Sequence, residues 1–386
     1  MTYRRNHISR IASSLWVETI DGDTFHLLRH DRVEDKTHEI RAATDCRSFI
    51  CVALTSATQV KLSALTMTIA IEVHTEATIQ IRSFARSMGQ IVLQRNAATG
   101  GILVLALLCF SPRLACALLL GTLTSNVLAH IFDDQGSPTT RNDLHGFNGG
   151  LAALAAFNFI HDDSCASAVA ILAAVLATGL SNRLTRALSP WNLPAYSSPA
   201  VLVTWAWLPL LADPSVPTAT AGMAVTASSD SIVSLLFSVA PAFLRPGLQG
   251  IVAGLAPIAF AAGPAAGALI LVGLLVAKPS RAVWALGGSA LGLALYTFIG
   301  TSAGMLQSGA YGFNPALAAL ATCRFGVKAA LSAIGLTVLI EFAASAVGIP
   351  ALTAPFVLAS WVVQLLEQRF NARGSNKDSY VARPQN

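Results

Sequence analysis

From Ala282 to Cys323 the chain runs 42 residues without an Asp, Glu, Lys or Arg, and Pro246–Ala277 runs another 32. A helix needs about 20 apolar residues to cross the hydrocarbon core of a bilayer. Uncharged stretches this long leave a water-soluble domain too little polar surface to cover its core. Composition agrees: 54% of the 386 residues are hydrophobic and 12% are charged, against about 25% charged in a soluble domain. The charges are also bunched, with 22 of the 45 lying in Met1–Arg95. The chain therefore reads as an all-α polytopic membrane protein whose surroundings are a lipid bilayer.

Several function classes drop out. The net charge of +5 comes from basic residues that suit short loops and tails. They form no patch with interleaved aromatics, so no nucleic-acid partner is expected. The cysteines Cys46, Cys51, Cys109, Cys116, Cys165 and Cys323 contain no Cys-x-x-Cys pair. They read as small hydrophobes rather than metal ligands or a disulfide framework. No nucleophile–base grouping or metal spacing suggests an enzyme, and no cofactor or metal is expected.

One element occurs twice. Gly146–Ala155 reads Gly-Phe-Asn-Gly-Gly-Leu-Ala-Ala-Leu-Ala and Gly312–Ala321 reads Gly-Phe-Asn-Pro-Ala-Leu-Ala-Ala-Leu-Ala, identical at eight of ten positions. A proline-anchored segment follows each copy: Leu193–Pro199, with Pro194 and Ser197, and Ile349–Pro355, with Pro350 and Thr353. The offset is 166 residues at the asparagines and 156 at the prolines. Solenoid repeats run about 20–50 residues. A repeat this long in an apolar chain points to a duplicated transporter or channel half.

The expected organisation follows. Residues 1–82 form a weakly ordered N-terminal extension. Residues 83–212 are a first transmembrane repeat, 213–240 a linker, 241–370 a second repeat and 371–386 a C-terminal tail. Each repeat holds about five transmembrane helices plus a re-entrant half-helix. In the first, spans are expected over 96–110, 114–132 and 166–182, a half-length helix over 145–159 and a proline-interrupted segment over 191–212. In the second, the counterparts are 250–277, 283–299, 329–347, 311–322 and 350–366. Arg82, Arg86 and Arg95 precede the first span, and Arg369, Arg373, Lys377 and Arg383 follow the last. Both termini therefore read as cytoplasmic. The linker has Asp213 and Asp230 and no Lys or Arg, so it reads as external. Each half then crosses an odd number of times, and the two repeats are inverted.

Backbone groups must be paired in hydrocarbon, so half-length helices and proline-broken segments belong inside protein or along a cavity. Ser197 and Thr353 stand three residues after Pro194 and Pro350. Two hydroxyls related by pseudo-symmetry suit a small, polar, neutral solute. Taken singly, each could instead bond a carbonyl one turn back. Asn148 and Asn314 read as caps of the half-helices. Leu151 and Leu317, taken by themselves, read as ordinary packing residues. Glu341 stands alone in an apolar run, and an intramembrane acid is by default a functional candidate. It could also be tied to backbone or a hydroxyl.

The paired Asn-Gly-x-Leu and Leu-Pro-x-x-Thr-x-Pro-Phe elements resemble those of the urea transporter family. The second copy reads Ile349-Pro350-x-x-Thr353-x-Pro355-Phe356. Met88-Gly89-Gln90-Ile91-Val92 resembles the Gly-Gln stretch that opens each half in that family, with Leu244–Gln249 as its counterpart here. The resemblance covers roughly Ser83–Phe370. It implies a homotrimer with one pore per protomer, passive conduction of urea through a narrow slot, and residence in the inner membrane of a bacterium. It puts Gln90 and Gln249 near the pore mouths, Ser197 and Thr353 midway, and Leu151 and Leu317 along the slot walls. The chain departs from the family pattern at Ser197 for Thr, Ala200 for Phe, Leu93 for an aromatic, and Pro315 for Gly. A wider slot could pass short amides or ammonia. The competing reading is a coupled secondary transporter in which Glu341 or a histidine binds the proton.

Overall fold

The computed structural model describes residues 78, 80–132, 146–211, 245–348 and 350–381. The expected 213–240 linker lies outside them, as does nearly all of the 1–82 extension, His145 and Ile349. Every described element is a helix: α1 (Gln80–Val92), α2 (Ala97–Phe110), α3 (Pro112–Phe132), α4 (Gly146–Phe159), α5 (Asp163–Leu188), α6 (Ser198–Leu211), α7 (Arg245–Ala253), α8 (Gly263–Ala277), α9 (Pro279–Ile299), α10 (Ala303–Gln307), α11 (Phe313–Thr322), α12 (Val327–Ala346) and α13 (Ala354–Val381). Four of them, α3, α5, α9 and α12, are long and apolar enough to cross a membrane, and counting each bent pair as one span makes six.

The half-length helices occur where expected, as α4 and α11. The apolar run over 250–277 is not one continuous helix. It breaks after a short turn at Ala256–Ala259, and the chain bends by 74° before α8. The first half bends by 73° between α1 and α2. Pro257 removes a backbone donor at the second break. Phe260 there and Leu93 at the first break both adopt left-handed backbone, with φ of 58° and 57°. Asn96 then caps α2 through its side chain, accepting from the Ala98 amide at 2.8 Å. α13 continues as helix to Val381, well beyond the expected end of the second repeat.

The two halves repeat one set of neighbours. α3 packs on α4 as α9 packs on α11; α4 packs on α5 as α11 packs on α12; α5 packs on α6 as α12 packs on α13. α2 and α8 join the halves, and the Thr99 hydroxyl donates to the Gly273 carbonyl across that contact at 2.8 Å. Equivalent glycines permit equivalent close approaches. A Cβ on Gly100 would lie 1.8 Å from the Ala85 carbonyl oxygen, and one on Gly267 would lie 2.0 Å from that of Val252.

The Gly149/Pro315 difference is compensated in the neighbouring helix. In the first half Ser125 reaches over Gly149, where an added Cβ would meet its hydroxyl at 1.7 Å. In the second half the Pro315 ring lies where a Cβ on Gly292 would be, at 2.5 Å. Large faces small both times, with the roles exchanged, and the packing density is kept.

A half-helix ending inside the protein leaves carbonyls without helical partners. Arginines supply the donors. Arg113, at the start of α3, donates to the carbonyls of Phe157 and Ile160 at the end of α4, and its Nε lies 2.6 Å from Asp163. Arg281, at the start of α9, donates to the Leu320 carbonyl in α11 at 2.8 Å.

Candidate functional site

Ser197 and Thr353 meet. Their hydroxyls are 2.7 Å apart and both residues are buried. They lie in a constriction lined by Gln90, Ile91, Leu93, Phe147, Leu151, Ser197, Ile258, Leu317, Thr353 and Phe356, with a volume of about 10 Å³. That is roughly the room one water needs. Three twin pairs contribute to it, one member from each half: Ile91 with Ile258, Leu151 with Leu317, and Ser197 with Thr353. Aliphatic side chains and the rings of Phe147 and Phe356 make the walls, and the two hydroxyls and Gln90 are the polar groups.

The segments that carry the hydroxyls are held alike. Tyr196 and Leu352, one residue before Ser197 and Thr353, have left-handed backbone with φ of 50° and 48°. Bulky residues adopt this conformation at a cost of about 1–2 kcal/mol each. With Leu93 and Phe260 they make up four of the five non-glycine residues with positive φ among those described. Backbone strain of this kind concentrates at functional sites, where the surroundings hold it in place.

The asparagines supply part of that hold, and this corrects the capping expectation. Asn148 and Asn314 lie within the first turns of α4 and α11, and no side chain caps α11 at Gly312. Their amides reach instead to the strained segments. Asn148 Nδ2 donates to the Tyr196 carbonyl at 3.2 Å, and Asn314 Nδ2 donates to that of Leu352 at 2.9 Å. The Oδ1 atoms of both are buried without a protein partner. Pro194 and Pro350 are tied across the halves: the Trp361 indole donates to the Pro194 carbonyl and the Trp205 indole to the Pro350 carbonyl, each at 2.8 Å.

Gln90 is buried in the constriction, whereas Gln249 is half-exposed and not among its lining residues. The close approaches at Gly100 and Gly267 set the repeat offset here at 167 residues, which pairs Leu93 with Phe260 and Gln90 with Pro257. The sequence pairing of Gln90 with Gln249 is therefore eight residues out of structural register. That pairing rests on the resemblance of both stretches to a Gly-Gln element; the paired left-handed turns at Leu93 and Phe260, visible only in the backbone, fix the alignment. They also show that the aromatic missing at Leu93 is present in the other half as Phe260.

Glu341 does not line the constriction. Its carboxylate accepts from Asn314 Nδ2 and from the Tyr296 hydroxyl, each at 3.0 Å. The burial pattern of α5 and α12 repeats at 160 residues, so Ser181 stands where Glu341 does. The sequence named no twin for Glu341 because serine carries no resemblance to it.

Beside the constriction lies a cavity of about 450 Å³, lined by Gln90, Leu93, Phe147 and Asn148 from around the start of α4, by Ser181, Thr185 and Tyr196, by Leu320 and Ala321 at the end of α11, and by Arg95, Arg281 and Arg324. At the far end of α4, Phe159 packs edge-on against Trp207 and against Phe260, each at 6.5 Å between ring centres. Leu208 and Leu352 complete that apolar cluster.

Spanning helices, two interrupted half-helices and a buried hydroxyl pair between similar halves define an integral membrane transport protein. Residues 81–368 match the model of the family described as "UT: Urea transporter". The chain belongs to the urea transporter family. It is similar to Urea transporter 1 of Ovis aries and to Urea transporter 1 of Capra hircus, at 25% identity over 304 residues in each case, covering 73% of this chain and 75% of each relative.

Proposed function

We propose that the protein is a passive channel for urea, and that the constriction between the repeats is its selective neck. The observation that carries this reading is the convergence of three twin pairs on one narrow point, with Ser197 and Thr353 in mutual contact there. Urea is planar and neutral, with one strong acceptor and two NH2 groups. In the neck it would exchange the Ser197–Thr353 bond for bonds of its own to the same hydroxyls. Each such bond is worth about 1 kcal/mol net, so the solute is held and released without being trapped. Asn148 lines the cavity beside the neck, and its Oδ1, without a protein partner, offers an acceptor for an NH2 group approaching from there. Leu151 and Leu317 leave no room for hydrated ions. Phe147, in the first turn of α4, brings a half-helix N-terminus to the neck, and the partial positive charge there disfavours cations.

The two repeats are inverted in this reading. One cavity is lined by the start of α4 together with the end of α11, as antiparallel half-helices require. Arg95, Arg281 and Arg324 gather at that cavity, with Arg186 in the last turn of the neighbouring α5. By the positive-inside rule this end faces the cytoplasm. We place the channel in a bacterial inner membrane as a homotrimer with one pore per protomer, extending over 83–212 and 241–370, with both termini cytoplasmic.

A coupled transporter would need a titratable group facing the passage, and Glu341 is turned instead to Tyr296 and Asn314. The test is stopped-flow flux in proteoliposomes with urea, formamide, acetamide and ammonia, with and without a proton or sodium gradient. Downhill urea flux independent of either gradient is expected. Flux that vanishes without a gradient would reject the channel in favour of coupling.

A further inference from the structure

The 450 Å³ cavity is larger than a urea-sized solute needs, and its charge is one-sided. Arg95, Arg281 and Arg324 line it, and among the described residues no Asp or Glu does. Two of the guanidiniums are held in place. Arg281 Nη1 donates to the Leu320 carbonyl at 2.8 Å and Arg324 Nη2 to Gln364 Oε1 at 3.3 Å. The Arg324 guanidinium also lies 4.6 Å from the centre of the Phe325 ring. Five N–H donors per guanidinium exceed these contacts, so each retains donors for a ligand. A concave, low-dielectric wall with one sign of charge concentrates counter-ions. Fixed guanidiniums match the oxygens of phosphates and carboxylates in particular.

We propose that this vestibule binds a small soluble oxyanion, a phosphate or a carboxylate, and that the bound anion obstructs the neck. Gln90, Leu93 and Phe147 line both the vestibule and the constriction, so a ligand seated between the arginines lies across the approach to Ser197 and Thr353. The obstruction rests on the channel reading; the binding site does not.

The experiment separates the two. Inorganic phosphate is titrated into the full-length protein in phosphatidylcholine nanodiscs at constant ionic strength, with heat as the readout. Saturable binding is expected, weakened about tenfold or more in Arg324→Gln, which loses one charge-assisted contact. Arg281→Gln should weaken it too, and thermal unfolding reports whether that variant is folded. Arg186→Gln, at the same basic end but outside the lining, should bind as the parent does. No saturable heat, or equal loss in Arg186→Gln and Arg324→Gln, would overturn the site. Loss of phosphate binding when phosphatidylglycerol replaces half the lipid would assign the arginines to lipid headgroups and overturn the soluble ligand. In vesicles, phosphate should slow urea flux in the parent and leave that of Arg324→Gln unaffected. Binding without slowing would overturn the obstruction, whereas absent urea flux with intact phosphate binding would reject only the channel.

Discussion

Ser197 and Thr353 are 156 residues apart in sequence, and their hydroxyls share one hydrogen bond of 2.7 Å in the constriction. Each is the other's partner because the two proline-anchored segments bring equivalent positions to the same point. A solute that parts them must satisfy both.

That contact predicts the outcome of removing either hydroxyl. Thr353→Val keeps shape and takes away one oxygen, leaving Ser197 buried and unpaired when the neck is empty and one bond short when it is occupied. A lost bond of about 1–1.5 kcal/mol lowers urea flux roughly tenfold, with folding and assembly intact. Stopped-flow light scattering measures the flux and size-exclusion chromatography the assembly. Unchanged flux in well-folded protein would remove these hydroxyls from the pathway.

The exchanged packing of Ser125 over Gly149 and Pro315 over Gly292 predicts a rescue. Gly149→Ala puts a methyl against the Ser125 hydroxyl and destabilises by about 1–3 kcal/mol, as overpacking does. Ser125→Gly in the same chain removes the hydroxyl contact and returns part of that loss, the rest belonging to the Gly121 carbonyl 2.7 Å from the same Cβ and to the lost Thr178–Ser125 bond. Thermal unfolding of the two single variants and the double variant in detergent gives the coupling. Additive losses would contradict the compensation.

Arg113 predicts a fold defect rather than a transport defect. Arg113→Ala leaves the Phe157 and Ile160 carbonyls without that donor, at about 1–3 kcal/mol for each buried unsatisfied group. A lower unfolding temperature is expected, with Arg113→Lys recovering part of it because one ammonium cannot reproduce the fork. A temperature unchanged by Arg113→Ala would show that the end of α4 is satisfied without it.

Glu341 predicts a difference between two substitutions. Glu341→Gln keeps an acceptor for Asn314, and so the Asn314–Leu352 bond that supports Thr353. Glu341→Leu removes the acceptor and frees the Asn314 amide. Urea flux should fall several-fold in the leucine variant and stay within about twofold of the parent in the glutamine variant. Equal loss in both would mean that the carboxylate's charge, not its hydrogen bonding, is what matters.

The sequence by itself determined the membrane class, the duplication, the two half-length helices and the positions of the hydroxyl pair. These follow from uncharged runs, from near-identical decapeptides and from proline spacing, all local properties. Membership of the urea transporter family was legible for the same reason: its motifs lie within single segments. The tertiary structure alone decided the rest. The breaks at Leu93 and Phe260, the left-handed turns at Tyr196 and Leu352 and the true partner of Gln90 depend on backbone conformation that no residue type announces. Asn148 and Asn314 look like caps because asparagine usually caps helices, yet their amides find partners 48 and 38 residues away, respectively. The arginine-walled vestibule was invisible because Arg95, Arg281 and Arg324 are far apart in the chain. Such contacts arise only when helices pack, because they join residues from segments distant in the chain.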